Sequence, residues 1–482
     1  MKNTSHIIPT IISYFFILLL VYASVSKLMD FENFQVQLAQ SPLLHDYAIF
    51  VSYAVIMTEL LLVAFLAIPN VRWIGLFCSL GLMSAFTAYI YLILHFSDSV
   101  PCSCGGILEK MDWNDHLVFN ILCVLLAIIA ILVNRKGITN KKKAAGFISM
   151  AIALPLLLLS LIFYPYIITN QGNFTRRIVY PLKGQQRILE FPTNNYYFAG
   201  NYGDTLFVGH RKTPLLLSTI PPDFNSIHVD TIKLDNYKHQ FVSVTINVSY
   251  PYFSVSDGKV PVIFEGKLPS LEAYDTGINR LYFSRLYMLE PKQYLFKTML
   301  VKTKESELGI LNSISKEYFI NPQVLQTKAD GVFDTDGNIT IDRQNKKIIY
   351  THLYRNEVIT TNFDLGNISR NRTIDSLSQA IIETKTLKNG QTKLLKSPTE
   401  INLMQTVSDN KFYNLSQMRG KNESFWDFRN NDVIDVYDSS TKKYLYSFYI
   451  ENEEGIKIKS ILATKHYFYV LSGNHITRYA FK

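Results

Sequence analysis

Residues 73–95 read WIGLFCSLGLMSAFTAYIYLILH, an unbroken run without Asp, Glu, Lys or Arg. Wound as a helix at about 1.5 Å per residue, it crosses the roughly 30 Å hydrocarbon core of a bilayer. Four more runs share its character. Thr4–Ser26, Leu117–Asn134 and Ala144–Thr169 carry no formal charge, and Tyr47–Ile68 carries only Glu59. Five transmembrane helices are predicted, with the lipid bilayer as their partner. The first run, preceded by Lys2, also has the outline of a cleaved signal peptide. It is longer than the usual apolar region of such a peptide, and four spans follow it, which favours a retained helix.

Basic residues orient the spans. Arg135, Lys136, Lys141, Lys142 and Lys143 separate the fourth run from the fifth, which marks that connection as cytoplasmic. Counting back puts the N-terminus and the Arg72 turn inside. The loop after the third run is then outside, as is everything beyond Thr169. The outer loop agrees, because it carries Asp98, Glu109, Asp112 and Asp115 against Lys110.

Composition changes near Asn170. Up to that residue nine basic side chains face eight acidic ones, so +8 of the chain's net +9 falls on the remainder. That charge is dispersed along the sequence, the pattern of a solvated surface and not of a nucleic-acid footprint. The remainder contains no cysteine, so it must be held by its own core without a disulfide framework. It reads as short strands rich in Val, Ile, Tyr, Phe and Thr, such as residues 241–248, 280–284 and 347–350. Asp257-Gly258, Asp330-Gly331, Asp336-Gly337 and Asn389-Gly390 are the turn signals. Strand, polar turn and aromatic-ended strand recur over residues 337–350 and 432–448 at blade-like intervals, which predicts a β-propeller of about six blades. A pair of β-sandwiches satisfies the same alternation. The expected fold class is thus an α-helical membrane bundle followed by an all-β, propeller-like extracytoplasmic domain. A four-helix core over residues 1–140 and a fifth helix over 141–170 precede residues 171–482.

Chemistry concentrates in the outer loop. Cys102 and Cys104 stand one residue apart in Pro101-Cys-Ser-Cys-Gly-Gly106, a spacing suited to reversible dithiol/disulfide exchange at a membrane surface. Gly105 and Gly106 free the backbone to turn N–H groups toward sulfur, whereas Asp98 and Glu109 oppose thiolate formation. Closure of so short a ring requires a tight backbone, so an internal disulfide would be strained and easily passed on. Idle thiols or a metal clip are the other readings of the pair. The nearest candidate ligands, His95 and His116, form no recognised metal spacing with it. Cys123, about six residues into the fourth span, is either a resolving thiol for the loop or a small apolar filler. Cys78 lies near the opposite end of its span. Glu59 is an acid near the middle of the second span, a costly position that points to a proton role, an interhelical hydrogen bond or a partner. Lys27 is the candidate partner, although the residue count places it far away.

Tyr22-Ala-Ser-Val-Ser-Lys-Leu28, Ser41-Pro-Leu-Leu44, Glu59 and Pro101-Cys-Ser-Cys-Gly105 occur in an order, relative to four helices, that resembles the MauE family of DoxX-like membrane proteins. The resemblance covers about the first 140 residues. It implies a redox-associated protein of the kind named from methylamine utilisation, where such proteins are implicated in disulfide formation during dehydrogenase maturation. It further implies a Gram-negative inner membrane and a periplasmic outer domain; the dithiol chemistry itself points to a thioredoxin-like periplasmic partner and to a membrane quinone that receives electrons from the loop through Cys123. The fifth helix and the long outer domain depart from the family pattern, and no residue identifies a dehydrogenase partner.

The outer domain shows no HExxH, Gly-x-Ser-x-Gly or Walker loop, and His210, His228, His239, His352, His466 and His475 are scattered. Residues 334–340 resemble a calcium loop but lack its later glutamate, so a turn is the simpler reading. By analogy with other propellers, this domain would bind a protein, peptide or glycan. Two functions follow: a membrane thiol-disulfide oxidoreductase or accessory component, or a membrane-anchored binding or sensory module without redox catalysis.

Overall fold

The computed structural model describes residues 4–41, 43–96, 111–133, 141–169, 172–328, 333–388, 390–395, 398–451 and 456–482. Two compact units emerge, one formed by residues 1–170 with 382–397, the other by 171–381 with 398–482.

The first unit is helical: α1 (Thr4–Met29), α2 (Phe31–Gln40), α3 (Ala48–Ala67), α4 (Arg72–Phe96), α5 (Trp113–Val133) and α6 (Lys141–Thr169). All but α2 are long and apolar enough to cross a membrane, so this is a multi-pass membrane protein. In the core of the bundle, α1 packs on α3 and α5, and α4 packs on the same two helices. The buried stripe of α3, Ser52, Ile56, Glu59, Leu62 and Leu66, recurs every three or four residues as a helix requires. Its counterpart on α5 is Asn120, Cys123, Ala127 and Ala130. Helix α6 packs on α4.

Helix α2 was not foreseen. It is amphipathic and sets Phe34, Leu38 and Ala39 against Ala48 and Ile56. The unit also takes in an excursion from the far part of the chain, a hairpin pairing Thr384–Thr386 with Thr392–Leu394. Leu395 joins the apolar cluster of α2. Around it, Lys385 Nζ donates to Gln35 Oε1 at 3.0 Å, Lys393 Nζ to Asn33 Oδ1 at 2.6 Å, and His45 Nε2 meets Glu383 Oε2 at 2.9 Å.

The second unit is a six-bladed propeller, not a pair of sandwiches. Antiparallel four-stranded blades occupy residues 196–231, 244–275, 285–320, 337–372 and 402–451, the second with an extra strand at its edge. The sixth blade is composite. Residues 458–481 supply three strands, and Leu182–Glu190 supplies the fourth by pairing antiparallel with His475–Phe481. The first and last strands of the unit therefore join in one blade and close the ring.

The second strands of five blades, Thr205–His210, Tyr252–Asp257, Lys347–His352, Lys411–Ser416 and Tyr467–Ser472, share one burial sequence: a half-buried residue, then five buried ones. Neighbouring blades cover both faces, so these strands lose the simple alternation of a half-exposed sheet. Each interface between successive blades holds its own apolar cluster. Leu206, Val208, Tyr469 and Leu471 form the one that seals blade six to blade one.

Two details of the sequence reading change. Residues 280–284 are not a strand: Leu281 and Phe283 are buried as loop anchors against Ile263 and Met288, and the strand is Arg285–Glu290. Gly337 opens a strand instead of closing a turn, and a Cβ there would collide with the Thr351 carbonyl at 2.3 Å. The calcium-like stretch is committed elsewhere, with Asp334 Oδ1 bound to the buried Arg355 at 2.9 Å. Asp330, Gly331 and Asn389 lie outside the described residues.

Ahead of the closing strand, Arg176 is fully buried. Its Nε and Nη2 grip Asp435 at 2.7 and 3.1 Å, its Nη1 donates to the Met418 carbonyl at 2.8 Å, and Glu423 completes the set. Loss of one member of a buried ionic network typically costs about 3–5 kcal/mol because the others stay behind unpaired. Arg176→Ala is therefore expected to lower the denaturant midpoint of the β signal in the full-length protein. An unchanged midpoint would show that the network does not hold the entry segment.

Candidate functional site at the Lys27 end of the bundle

Glu59 lies eleven residues beyond the start of α3 and is about 1% exposed. The count placed it out of easy reach of Lys27, near the end of α1. The structure brings them together: Lys27 Nζ is 2.6 Å from Glu59 Oε1, and Ser24 Oγ, one turn deeper on α1, donates to Oε2 at 3.0 Å. Sequence distance misled because the aliphatic stem of Lys27 runs back into the bundle instead of snorkelling outward. The Phe34 ring of α2 lies 5.8 Å from the ammonium and helps cover it. Both oxygens of Glu59 thus accept hydrogen bonds, one from Ser24 and one from Lys27.

Helix α5 begins beside this pair. His116 stacks on Trp113 with ring centroids 6.1 Å apart and stands within electrostatic reach of Lys27. Asn120 follows one turn inward and is 3% exposed. Neither the His116 Nδ1 nor the Asn120 Nδ2 has a hydrogen-bond partner. Buried polar atoms are seldom left this way without a ligand or water to satisfy them. Sequence reading weighed His116 only as a metal ligand and passed over Asn120. The available signal was spacing, since 116, 120 and 123 share one helical face.

One further turn inward, the surroundings change. Cys123 is 1% exposed and belongs to the apolar cluster that also holds Leu20, Leu62 and Met83. Cys78 is exposed on the surface of α4. The loop pair Cys102 and Cys104, with Asp98, Gly105, Gly106 and Glu109, lies outside the described residues. Its flanks are placed, however: α4 ends at Phe96 and α5 starts at Trp113, so the loop leaves from the end of the bundle where Trp113 and His116 approach Lys27. At the other end of α1, Arg72 binds the Leu66 carbonyl and Thr10 Oγ1, each at 3.0 Å.

The propeller's histidines are not gathered. His210 is held by Thr193 and Thr213, His239 by Asp275, and His466 by Asp204. His352 is fully buried beside Arg355, and burial together with that cation pushes its pKa down to about 3. Among the described residues no group of three or more His, Cys, Asp or Glu could hold a metal ion. A cavity of about 260 Å³ lies between blades two and three, lined in part by Tyr252, Glu265, Tyr274 and Lys292.

Disrupting the buried pair gives a direct check. Lys27→Met leaves a carboxylate unpaired inside the bundle and is expected to lower its thermal midpoint in detergent. Adding Glu59→Gln should recover most of the loss. A double variant no better than the single would place the role of Lys27 outside the pair.

Residues 5–133 match the family model described as "Methylamine utilisation protein MauE". No protein of the curated set matches the sequence. Among solved structures, a DUF4221-family protein from Bacteroides vulgatus is similar at 11% identity, with a TM-score of 0.40 over 65% of this chain and 98% of its own. A putative exported protein from Bacteroides fragilis shares 9% identity, with a TM-score of 0.37 over 65% of this chain and 98% of its own. Regucalcin, a calcium-binding protein from Agrobacterium tumefaciens, shares 7% identity, with a TM-score of 0.36 over 64% and 95%. The chain joins a membrane unit whose residues 5–133 match the MauE family model to a six-bladed β-propeller.

Proposed function

We propose that this protein exchanges thiols and disulfides at the extracytoplasmic face of an inner membrane, through Cys102 and Cys104, in support of the maturation or reduction of periplasmic proteins. The observation that carries the reading is the setting of the loop's exits. Both helices that bear it have their loop-side ends at the polar end of the bundle, where Lys27, Glu59 and His116 stand above an apolar interior.

Parity supports the topology of this reading. With the basic connection at Lys141–Lys143 on the cytoplasmic side, five spans leave the N-terminus inside and carry both the dithiol loop and the propeller to the periplasm. The propeller's part in this reading is to recruit a protein, peptide or glycan. The exchange partner is a thioredoxin-like periplasmic protein. Electrons that arrive as a dithiol can be drained to a lipid-soluble quinone: the thiol pair gives up two electrons and two protons as its disulfide forms, and quinone plus those two of each is quinol. The orphaned amide of Asn120 and the Nδ1 of His116 fit such a carrier, because each is a polar group facing the bundle interior without a partner. Cys123, enclosed by apolar side chains, acts here as packing.

Mixed-disulfide trapping tests the proposal. In intact cells, Cys104→Ser or Cys102→Ser should capture a thioredoxin-fold protein in a complex that reductant dissolves, while Cys123→Ala leaves the redox state of the loop pair unchanged. Unimpaired function of the Cys102→Ser/Cys104→Ser double variant would instead support a binding or sensory module. Loop thiols labelled only from the cytosol would overturn the topology.

A further inference from the structure

Polar residues inside the bundle form two tiers. Lys27 and His116 make the outer one, and Ser24, Glu59 and Asn120 the inner one, because Ser24 precedes Lys27 by three residues on α1 and Asn120 follows His116 by four on the oppositely running α5. Below them begins the dry cluster of Leu20, Leu62 and Cys123. Glu59, Lys27 and Ser24 satisfy one another. His116 and Asn120 do not, and an amide 97% buried with an unpaired nitrogen carries the full desolvation penalty of that group.

A ligand that relieves both must present hydrogen-bonding oxygens at both levels and be otherwise apolar, since apolar helix faces surround the tiers. It must also reach them from the lipid. The rise from residue 116 to residue 120 is about 6 Å, close to the separation of the two carbonyl oxygens across a para-quinone ring. We infer that His116 and Asn120, one turn apart on the inner face of α5 beside the Lys27–Glu59 pair, form the headgroup site of a lipid-soluble quinone. The Asn120 amide donates to the deeper carbonyl. The His116 ring, flanked by Trp113 and Lys27, meets the shallower one. This deepens the redox reading above by giving its electron acceptor a place, and it rests on that reading only for its purpose, not for its binding chemistry.

Trp113 supplies a reporter, because quinones quench indole fluorescence at short range and this ring lies 6.1 Å from His116. Full-length protein in lipid nanodiscs, titrated with decylubiquinone, should show saturable quenching that Trp113→Phe removes. Asn120→Leu keeps the size of the side chain and deletes the orphaned amide, so the fold should be at least as heat-stable while the apparent Kd rises ten-fold or more. His116→Phe provides a second variant and should weaken binding in the same sense. Val118→Leu, on the exposed face of α5, should leave the Kd unchanged. Quenching that rises linearly without saturation, or equal Kd values in wild type, Asn120→Leu and His116→Phe, would overturn the site. The Cys102→Ser/Cys104→Ser variant separates the two proposals: it should bind decylubiquinone as wild type does, so a failed mixed-disulfide trap leaves the quinone site standing, and lost quenching leaves the thiol chemistry standing.

Discussion

An acidic side chain inside a membrane bundle is tolerable only when its polar oxygens are met at once, and the Lys27–Glu59 pair meets that condition at 2.6 Å. Much of the upper bundle follows from it. The pair ties α1 to α3 and fixes their rotation, because Ser24 can reach the second carboxylate oxygen only with the same face of α1 turned inward. Phe34 covers the ammonium, which gives α2 a reason to lie across the end of the bundle. The hairpin of residues 382–397 then holds α2 through Gln35, Asn33 and Leu395. A buried ion pair of this kind contributes little net stability, since desolvation offsets much of its attraction. What it contributes is definition: an apolar bundle alone has many nearly equivalent packings, and a charge with one acceptable neighbour has few.

The propeller reaches definition by another route. It has no cysteine, and its rigidity comes from closure. A ring of blades is stable only when the first and last are joined, and here the joint is the ladder between Leu182–Glu190 and His475–Phe481, backed by the cluster of Leu206, Val208, Tyr469 and Leu471. The buried Arg176 guides the chain past blade five before that ladder begins, and Ser447 exchanges backbone hydrogen bonds with Arg177 and Val179 on the way. Each end of the second unit is therefore structurally committed.

How much of this was readable beforehand depends on the range of the forces involved. Five spans were legible because bilayer thickness acts on every residue of a run, and six blades because alternating strands and turn residues repeat locally. Helix α2 was hidden because its apolar face is only Phe34, Val36, Leu38 and Ala39, too short to stand out between two spans. The turn at Gly390 was visible, and its backbone does adopt φ +80°, but nothing local to the hairpin says that Lys385 and Lys393 belong beside Gln35 and Asn33. Residues 280–284 carried the composition of a strand, yet Leu281 and Phe283 spend it on the interface between blades two and three. Glu59 was marked as costly, but its partner was discounted on linear distance, a measure blind to a long side chain folding back. Asn120 went unread because one polar residue in an apolar helix is unremarkable until its neighbours prove unable to satisfy it.

The depth at which polarity stops bears on the chemistry. Cys123 is only one turn below Asn120, yet it belongs to the apolar cluster that holds Leu20, Leu62 and Met83. A thiolate there would be an uncompensated charge among hydrocarbon side chains, and thiolate is the form that attacks a disulfide. One turn higher, Lys27, Glu59 and Ser24 hydrogen-bond to one another. On the proposed redox reading, a transfer of two electrons with two protons belongs at the level of His116 and Asn120, and the boundary between the tiers and the dry core is how far into the membrane such a reaction would extend.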